Sequence, residues 1–333
     1  MATDHILFIH GVNTREQREQ PTYPNQLIGH IKKLIDDPNN LKTIPLYWGD
    51  VNIESEQYLM SKVARPGSRW HELWFQNTRQ NTILHFMGDA ALYISRSVGS
   101  KIVEKLKEQV RKGLENASQS DRLHLVSHSW GTFILFDILF AARWKDSNIL
   151  GHDSAMAIRG CFRGLEPNPD EGIRIASIHT MASPIAIFSL LDIVKGEDQA
   201  KGFSELTEKQ AEQRASHDIT PNLKQLVANS RDKPDSNKLP WLNYLHPADP
   251  IAWPLDPLIY SLVDGLKRNI EVQDIIIKLS FVESLMQPFS QTALVMLLYG
   301  GQAHESYLHS VQVAQKIVLT IQQTRNLGLG SRD

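Results

Sequence analysis

Apolar residues in this chain fall into short continuous runs separated by longer mixed stretches. Ile6–Ile9, closed by His10-Gly11, reads as a buried strand ending in a turn. Ile44–Trp48, closed by Gly49-Asp50, reads the same way. Leu123–Val126 and Ile173–His179 follow as strands, Trp241–Tyr244 returns to the core, and Asn269–Val272 reads as the last strand. Between these runs the period changes. Tyr23–Asp36 predicts a helix ended near Pro38. In Lys101–Leu114 the residues Ile102, Leu106, Val110 and Leu114 are spaced by four among Lys and Glu, an apolar stripe on a wet helix. Ser129–Ala142 is apolar on nearly all sides, as a buried helix is. Val311–Gln323 reads as the closing helix. Strand–turn–helix units of this kind predict α/β layering around a mostly parallel sheet.

Three stretches break the alternation. Residues 51–100 hold Trp70, Trp74, Phe75, Phe86 and Tyr93, with Met87–Val98 as a helix carrying Asp89. Residues 191–240 are charged, rich in Gln, Ser and Asn, and poor in aromatics, with helical pieces around Ser204–Ala215 and Pro221–Asn229. Ile275–Leu298 is apolar and precedes Gly300-Gly301. The expectation is one domain over residues 1–333, with 51–100, 191–240 and 275–299 as cap or lid insertions.

Composition narrows the class. A chain of 333 residues with 41% hydrophobic and 22% charged residues has ample material for a packed core. Its formal charge of −2 makes no case for a general polyanion binder. The single cysteine, Cys161, excludes an intrachain disulfide and a multi-cysteine metal site. The N-terminus has no signal-like apolar region, and runs such as Ala293–Tyr299 fall far short of the ~20 residues that span a bilayer. The expectation is a cytoplasmic protein without an integral membrane segment.

The strongest local signal is Leu123-His124-Leu125-Val126-Ser127-His128-Ser129-Trp130-Gly131-Thr132, in which a strand runs through Ser-His-Ser-Trp-Gly into a helix. It resembles the nucleophile elbow of the α/β-hydrolase family, serine esterases and lipases among them, with Ser127 where that motif has its first Gly. Such a turn needs small residues two before and two after the nucleophile, because strand and helix approach closely there. Ser127 and Gly131 meet that need. Ser129 would then stand at a helix N-terminus, where backbone N–H groups favour negative charge. The bland alternative is a serine capping a buried helix.

The resemblance covers roughly residues 5–325 and implies the remaining parts. His10-Gly11-Val12-Asn13 follows the first strand, where the family places an oxyanion-hole turn. The Val12 and Trp130 amides would be the two donors, supported by His10, Gly11 and Gly131. The alternative for His10 is a buried structural histidine bonded to a neighbouring loop. The family order of nucleophile, acid and base points to Asp249 in Asp249-Pro250-Ile251 as the acid, with Asp256 as runner-up. His304, after Gly300-Gly301 and three residues before Tyr307, is the implied base. His309 competes with it, and His246 is disfavoured because it precedes the acid.

Other chemistries lack their signatures. The 13 histidines are scattered and none forms His-x-x-x-His beside a Glu, so neither a metal nor a cofactor is expected. No Gly-rich phosphate loop follows a strand. Arg65, Arg69 and Arg79 flank aromatics, but such a cluster reads as a solvated face, and no nucleic-acid partner is expected. The resemblance implies a serine hydrolase that cleaves a small-molecule or lipid ester, or a related acyl bond, and the apolar insertions suit a hydrophobic substrate or a homo-oligomer contact. The competing expectation is a catalytically silent α/β-hydrolase-like module that binds lipid or protein.

Overall fold

The structure is a computed structural model that describes residues 2–15, 21–188, 219–229, 238–278 and 301–329. In chain order its main elements are β1 (Asp4–Ile9), α1 (Asn25–Leu34), β2 (Leu41–Leu46), α2 (Ile53–Val63), α3 (His85–Ile94), α4 (Arg96–Leu114), β3 (Arg122–His128), α5 (Trp130–Phe140), α6 (His152–Arg159), β4 (Arg174–Met181), α7 (Thr220–Asn229), β5 (Leu239–Leu245), α8 (Asp256–Leu262), β6 (Ile270–Ile276) and α9 (Val311–Leu329).

The strands form one sheet in the order β2-β1-β3-β4-β5-β6, and every neighbouring pair is parallel. The apolar runs explain why. A parallel strand covered on both faces needs apolar side chains at successive positions. In β1, Leu7 and Ile9 enter one core while Ile6 and Phe8 enter the other. The first core is filled by α4 and α5, with Ile102, Leu106, Val110, Ile134 and Ile138 all buried. The second is closed by α1 and α9, through Leu27, Ile31, Val313, Ile317 and Ile321. Helices thus cover both faces, an architecture consistent with the α/β-hydrolase fold. Every residue of α5 is buried. Fully burying a side chain such as Phe136 or Leu139 contributes about 1.5–3 kcal/mol, so α5 is a structural axis of the molecule as well as the element that follows Ser129.

The five stretches read as strands and the Trp241–Tyr244 return to the core fall on the six observed strands, with shifted ends. Met87–Val98 is not one helix. The chain turns at Ser95 (φ −66°, ψ 138°), whose Oγ accepts the Val98 N–H at 3.2 Å and caps α4. Gly99 allows the turn, since a Cβ there would sit 2.3 Å from the Tyr93 carbonyl oxygen. Helices α2, α6 and α8 carry no clear stripe and were not anticipated. The Ser204–Ala215 helix and nearly all of 275–299 lie outside the described residues, as does most of 191–240.

The topology also predicts where a ligand belongs. The chain leaves β1 for β2 on one side and then crosses to β3 on the other. Parallel sheets bind ligands outside the carboxyl ends of strands at such a switch point. Here β1 ends at Ile9 and β3 at His128, so His10-Gly11 and Ser129 meet at that point.

Candidate functional site

Ser129 joins β3 to α5 with φ 53° and ψ −130°, a left-handed backbone conformation that costs a non-glycine residue about 1–3 kcal/mol. The surroundings hold it there. Its N–H donates to the Met181 carbonyl at 2.9 Å, and its own carbonyl accepts the Thr132 N–H at 2.9 Å. Two glycines make the close approach possible. A Cβ on Gly131 would lie 2.2 Å from the His10 carbonyl oxygen. A Cβ on Gly11 would lie 2.6 Å from Ser129 Cβ and 3.0 Å from its Oγ. Ser127, which stands where the elbow motif has a glycine, is buried, and its hydroxyl accepts a hydrogen bond from Thr132 Oγ1 at 3.0 Å.

Ser129 Oγ lies 2.8 Å from His304 Nε2. On the other side of the ring, His304 Nδ1 is 3.1 Å from both carboxylate oxygens of Asp249. Three chain segments separated by 120 and 55 positions therefore meet in one hydrogen-bonded line. With Nδ1–H donating to the carboxylate, Nε2 is left to accept from the serine hydroxyl.

Asp249 follows β5 in a braced loop. Its carboxylate accepts the Ile251 N–H at 3.0 Å and the Tyr307 hydroxyl at 2.9 Å, while that hydroxyl accepts the His246 N–H at 2.7 Å. Burial alone would raise its pKa. The hydrogen bond and charge interaction with His304, the Ile251 N–H and Tyr307 outweigh burial and hold it below its ordinary value. The far end of the loop is tied down by Asp274 of β6, which accepts the Leu255 and Asp256 N–H groups at 3.0 and 3.1 Å. Asp256 itself starts α8, half exposed and 4.0 Å from Lys267. His309 lies 2.6 Å from Gln26 Oε1. His246 Nδ1 accepts the Ala248 N–H at 3.2 Å. Among the candidate acids and bases, Asp249 and His304 are the pair that meets Ser129.

Val12 follows Gly11 directly, and Trp130 is the first residue of α5. Their stretch of chain is braced by His10. Its Nδ1–H donates to the Gly11 carbonyl at 2.6 Å, its Nε2 accepts the Trp48 N–H at 3.1 Å, and its ring stacks on the Trp48 indole at 5.0 Å. Burial pushes His10 down to about 3, so it is neutral and acts as a strut between two loops. Beyond Val12 a second brace appears. Asp89 on α3 accepts the Asn13 N–H at 2.8 Å, Asn52 Nδ2 at 2.7 Å and both Arg15 terminal nitrogens at 2.9 and 2.7 Å. Arg15 also reaches Glu56 on α2 at 2.6 Å.

Two contributors were not singled out in the sequence. His128 donates from Nε2 to the His304 carbonyl at 2.7 Å, and its ring lies 4.9 Å from that of His304. Burial, with His304 beside it, lowers it to about 3, so it stays neutral and anchors the His304 backbone. Tyr307 was noted only as a neighbour of His304 in sequence. Its position one turn after His304 was the available signal for a hydroxyl facing the same acid. Among the described residues, no group of three or more His, Cys, Asp or Glu side chains is arranged to hold a metal ion.

No family model matches this sequence, and no curated protein matches it. Among solved structures, ClbQ from the colibactin NRPS/PKS pathway aligns with a TM-score of 0.35 and 10% identity, over 98% of this chain and 100% of that one. RedJ thioesterase from the prodiginine biosynthetic pathway in Streptomyces coelicolor aligns with a TM-score of 0.33 and 10% identity, over 97% and 90%. The dienelactone hydrolase from Anabaena variabilis aligns with a TM-score of 0.31 and 10% identity, over 92% and 87%. At these scores the functional reading rests on the geometry of the site itself.

Proposed function

We propose that this chain is a serine hydrolase that cleaves a carboxylic ester or related acyl bond of a hydrophobic substrate through an acyl-enzyme. The observation that carries this reading is the continuous hydrogen-bonded line from Ser129 Oγ through His304 to Asp249, beginning at a strained serine on a helix N-terminus. In this mechanism His304 Nε2 takes the hydroxyl proton as Ser129 Oγ attacks the acyl carbon. Asp249 holds the tautomer and stabilises the imidazolium. The Val12 and Trp130 N–H groups receive the oxyanion, where negative charge develops only on the way to the tetrahedral intermediate. His304 returns the proton to the leaving oxygen, the alcohol departs, and a water activated by the same imidazole releases the acid.

His10, Gly11, Gly131, His128 and Tyr307 act as positioning residues in this scheme, because each touches a reacting residue or its loop. The domain reading follows from the same proposal: residues 51–100 rise from the carboxyl edge of the sheet beside the site and act as a cap. The test is labelling of the full chain by a fluorophosphonate probe, read by intact mass. One probe should add to the wild type and none to Ser129→Ala. Hydrolysis of short-chain nitrophenyl esters should fall about 10⁴-fold or more in that variant. Equal labelling of both proteins would overturn the assignment of Ser129.

A further inference from the structure

Among the described residues, large apolar side chains are exposed mainly in one part of the molecule. Of the 18 exposed ones among the described residues, ten lie between Tyr58 and Ile94. Trp74 is 80% exposed, Phe75 72%, Tyr58 66% and Met87 60%. A scattered exposed leucine needs no explanation, but a concentration in one segment marks an interaction surface. From α2 to α3 the exposed cations outnumber the exposed acids in a chain whose overall charge is −2: Lys62, Arg65, Arg69 and Arg79 stand against Glu54 and Glu72, while Glu56 and Asp89 are buried and bound to Arg15. Glu72 is bound to Arg69 at 2.7 Å. Lys62 lies over the Tyr58 ring at 5.1 Å, and Arg79 Nε donates to the Trp74 carbonyl at 3.1 Å, so cations and aromatic rings share the surface.

We infer that the surface from α2 to α3, with Trp74 and Phe75 at its most exposed point, docks this protein onto a membrane surface containing anionic lipid. Trp and Tyr favour the interfacial region, Leu, Ile, Met and Phe favour the acyl boundary, and Lys and Arg favour anionic headgroups. Charge argues against the other occupants. A second copy in a two-fold interface would set this cationic patch against itself. A nucleic acid would satisfy the cations but leave Leu59, Ile83 and Met87 without partners, since bases stack on aromatic faces.

The placement connects docking with the sheet edge that carries Ser129. Helix α2 follows the carboxyl end of β2, and Asp89 of α3 holds Asn13, next to Val12. A lipid surface meeting α2 and α3 therefore approaches that same edge. Docking stands on its own observations and does not depend on Ser129 being a nucleophile.

Flotation of the full-length chain, with and without Ser129→Ala, tests it. The vesicles are phosphatidylcholine alone and equal parts phosphatidylcholine and phosphatidylglycerol. The protein should float with the anionic vesicles, and added salt should weaken the binding. Trp74→Ser/Phe75→Ser should lower partitioning about tenfold or more. Lys62→Gln/Arg65→Gln should lower it roughly fivefold per cation, and Lys62→Arg/Arg65→Lys should restore it. Unchanged circular dichroism and an unchanged thermal midpoint would show that the variants are folded. If the aromatic pair fails to fold, Tyr58→Ser/Leu59→Ser on α2 reads the same face. Absence of flotation would overturn the proposal, as would flotation unchanged in both variants. So would a dimer in sedimentation equilibrium that disperses in Trp74→Ser/Phe75→Ser, or oligouridylate bound through these residues in place of vesicles.

Discussion

Among the described residues, hydrogen bonds join an aspartate, a histidine and a serine twice, once towards each end of the sheet. Towards the amino end, Asp4 Oδ1 is 3.2 Å from His124 Nε2, and His124 Nδ1 is 2.7 Å from Ser177 Oγ. At the carboxyl edge the line is Asp249, His304, Ser129. The residue types and distances are nearly the same, but the surroundings differ. Asp4 also accepts from Arg122 at 2.7 and 3.0 Å and from Arg325 at 2.6 Å, so two permanent cations hold its charge. Despite its burial, those partners and His124 drive its carboxyl far below the usual range. Ser177 sits within β4, fully buried, with its hydroxyl between His124 and His179. Among the described residues, Asp249 has no guanidinium partner. Its partners are one imidazole, a tyrosine hydroxyl and a backbone N–H, so its charge remains available to an imidazolium at His304. Ser129 stands at a helix N-terminus, and His304 keeps 16% of its side chain exposed. A buried Asp–His–Ser line is thus a strut when fixed cations neutralise it, and suits proton transfer when the histidine is the group beside the carboxylate that can become a cation.

The sharpest way to break this comparison is to neutralise each acid. Asp249→Asn should lower ester turnover about 10⁴-fold by favouring the wrong imidazole tautomer, with little loss of stability. Asp4→Asn should instead leave the partly buried Arg122 and Arg325 guanidinium groups without their carboxylate and cost up to about 3–5 kcal/mol in urea unfolding, with turnover per folded molecule unchanged. If Asp4→Asn abolished turnover in a fully folded protein, the two lines would not differ as argued.

Acid should act next. His10, His128 and His179 are each lowered by burial to about 3, from an ordinary 6.5. Below 6.5 the unfolded chain binds protons that the folded chain refuses. Stability is therefore full above pH 6.5 and falls as pH drops towards 3, by up to about 1.4 kcal/mol per pH unit for each imidazole. The depressed carboxylates Asp4 and Asp249 add to the loss only near and below their ordinary 3.8. Urea midpoints between pH 8 and pH 5 measure the histidine contribution, and a flat profile would contradict it.

The smallest effects on stability come from the two serines. Ser177→Ala leaves buried imidazole nitrogens without their shared partner and should cost about 1–3 kcal/mol while sparing turnover. Ser129→Gly removes turnover in the proposed mechanism, but it relieves the backbone at φ 53° and should raise stability by about 1 kcal/mol. Thermal melts of the two variants should therefore shift in opposite directions.

Most strands were legible because a sheet covered on both faces needs apolar runs, as in β1 and β3, whereas β6 at the sheet edge alternates apolar and polar positions. The hidden elements were the helices without a stripe. Asp256-Pro257 looks like a turn but begins α8, with the carboxylate of Asp274 receiving the α8 entry N–H groups from across the loop. Local pattern placed Ser129 at a strand–helix junction and offered Asp249 with Asp256, and His304 with His309, as partners. The family order favoured Asp249 over Asp256 and His304 over His309, but which side chains meet Ser129 depends on which loop end reaches the carboxyl edge at β3.

The chain's own order of residues determined the α/β layering, the two glycines that let β1 and α5 close on Ser129, and a short list of chemically able side chains. Periodicity and residue size act over a few positions, so they can be read locally. Tertiary structure alone decided that Asp249 and His304 are the pair that meets Ser129, and that His128 and Tyr307 brace them. It also decided that the similar line through Asp4 is neutralised by Arg122 and Arg325. Those outcomes depend on contacts spanning 55 to 321 positions. At that range, what a carboxylate can do is set by the charges the fold brings to it.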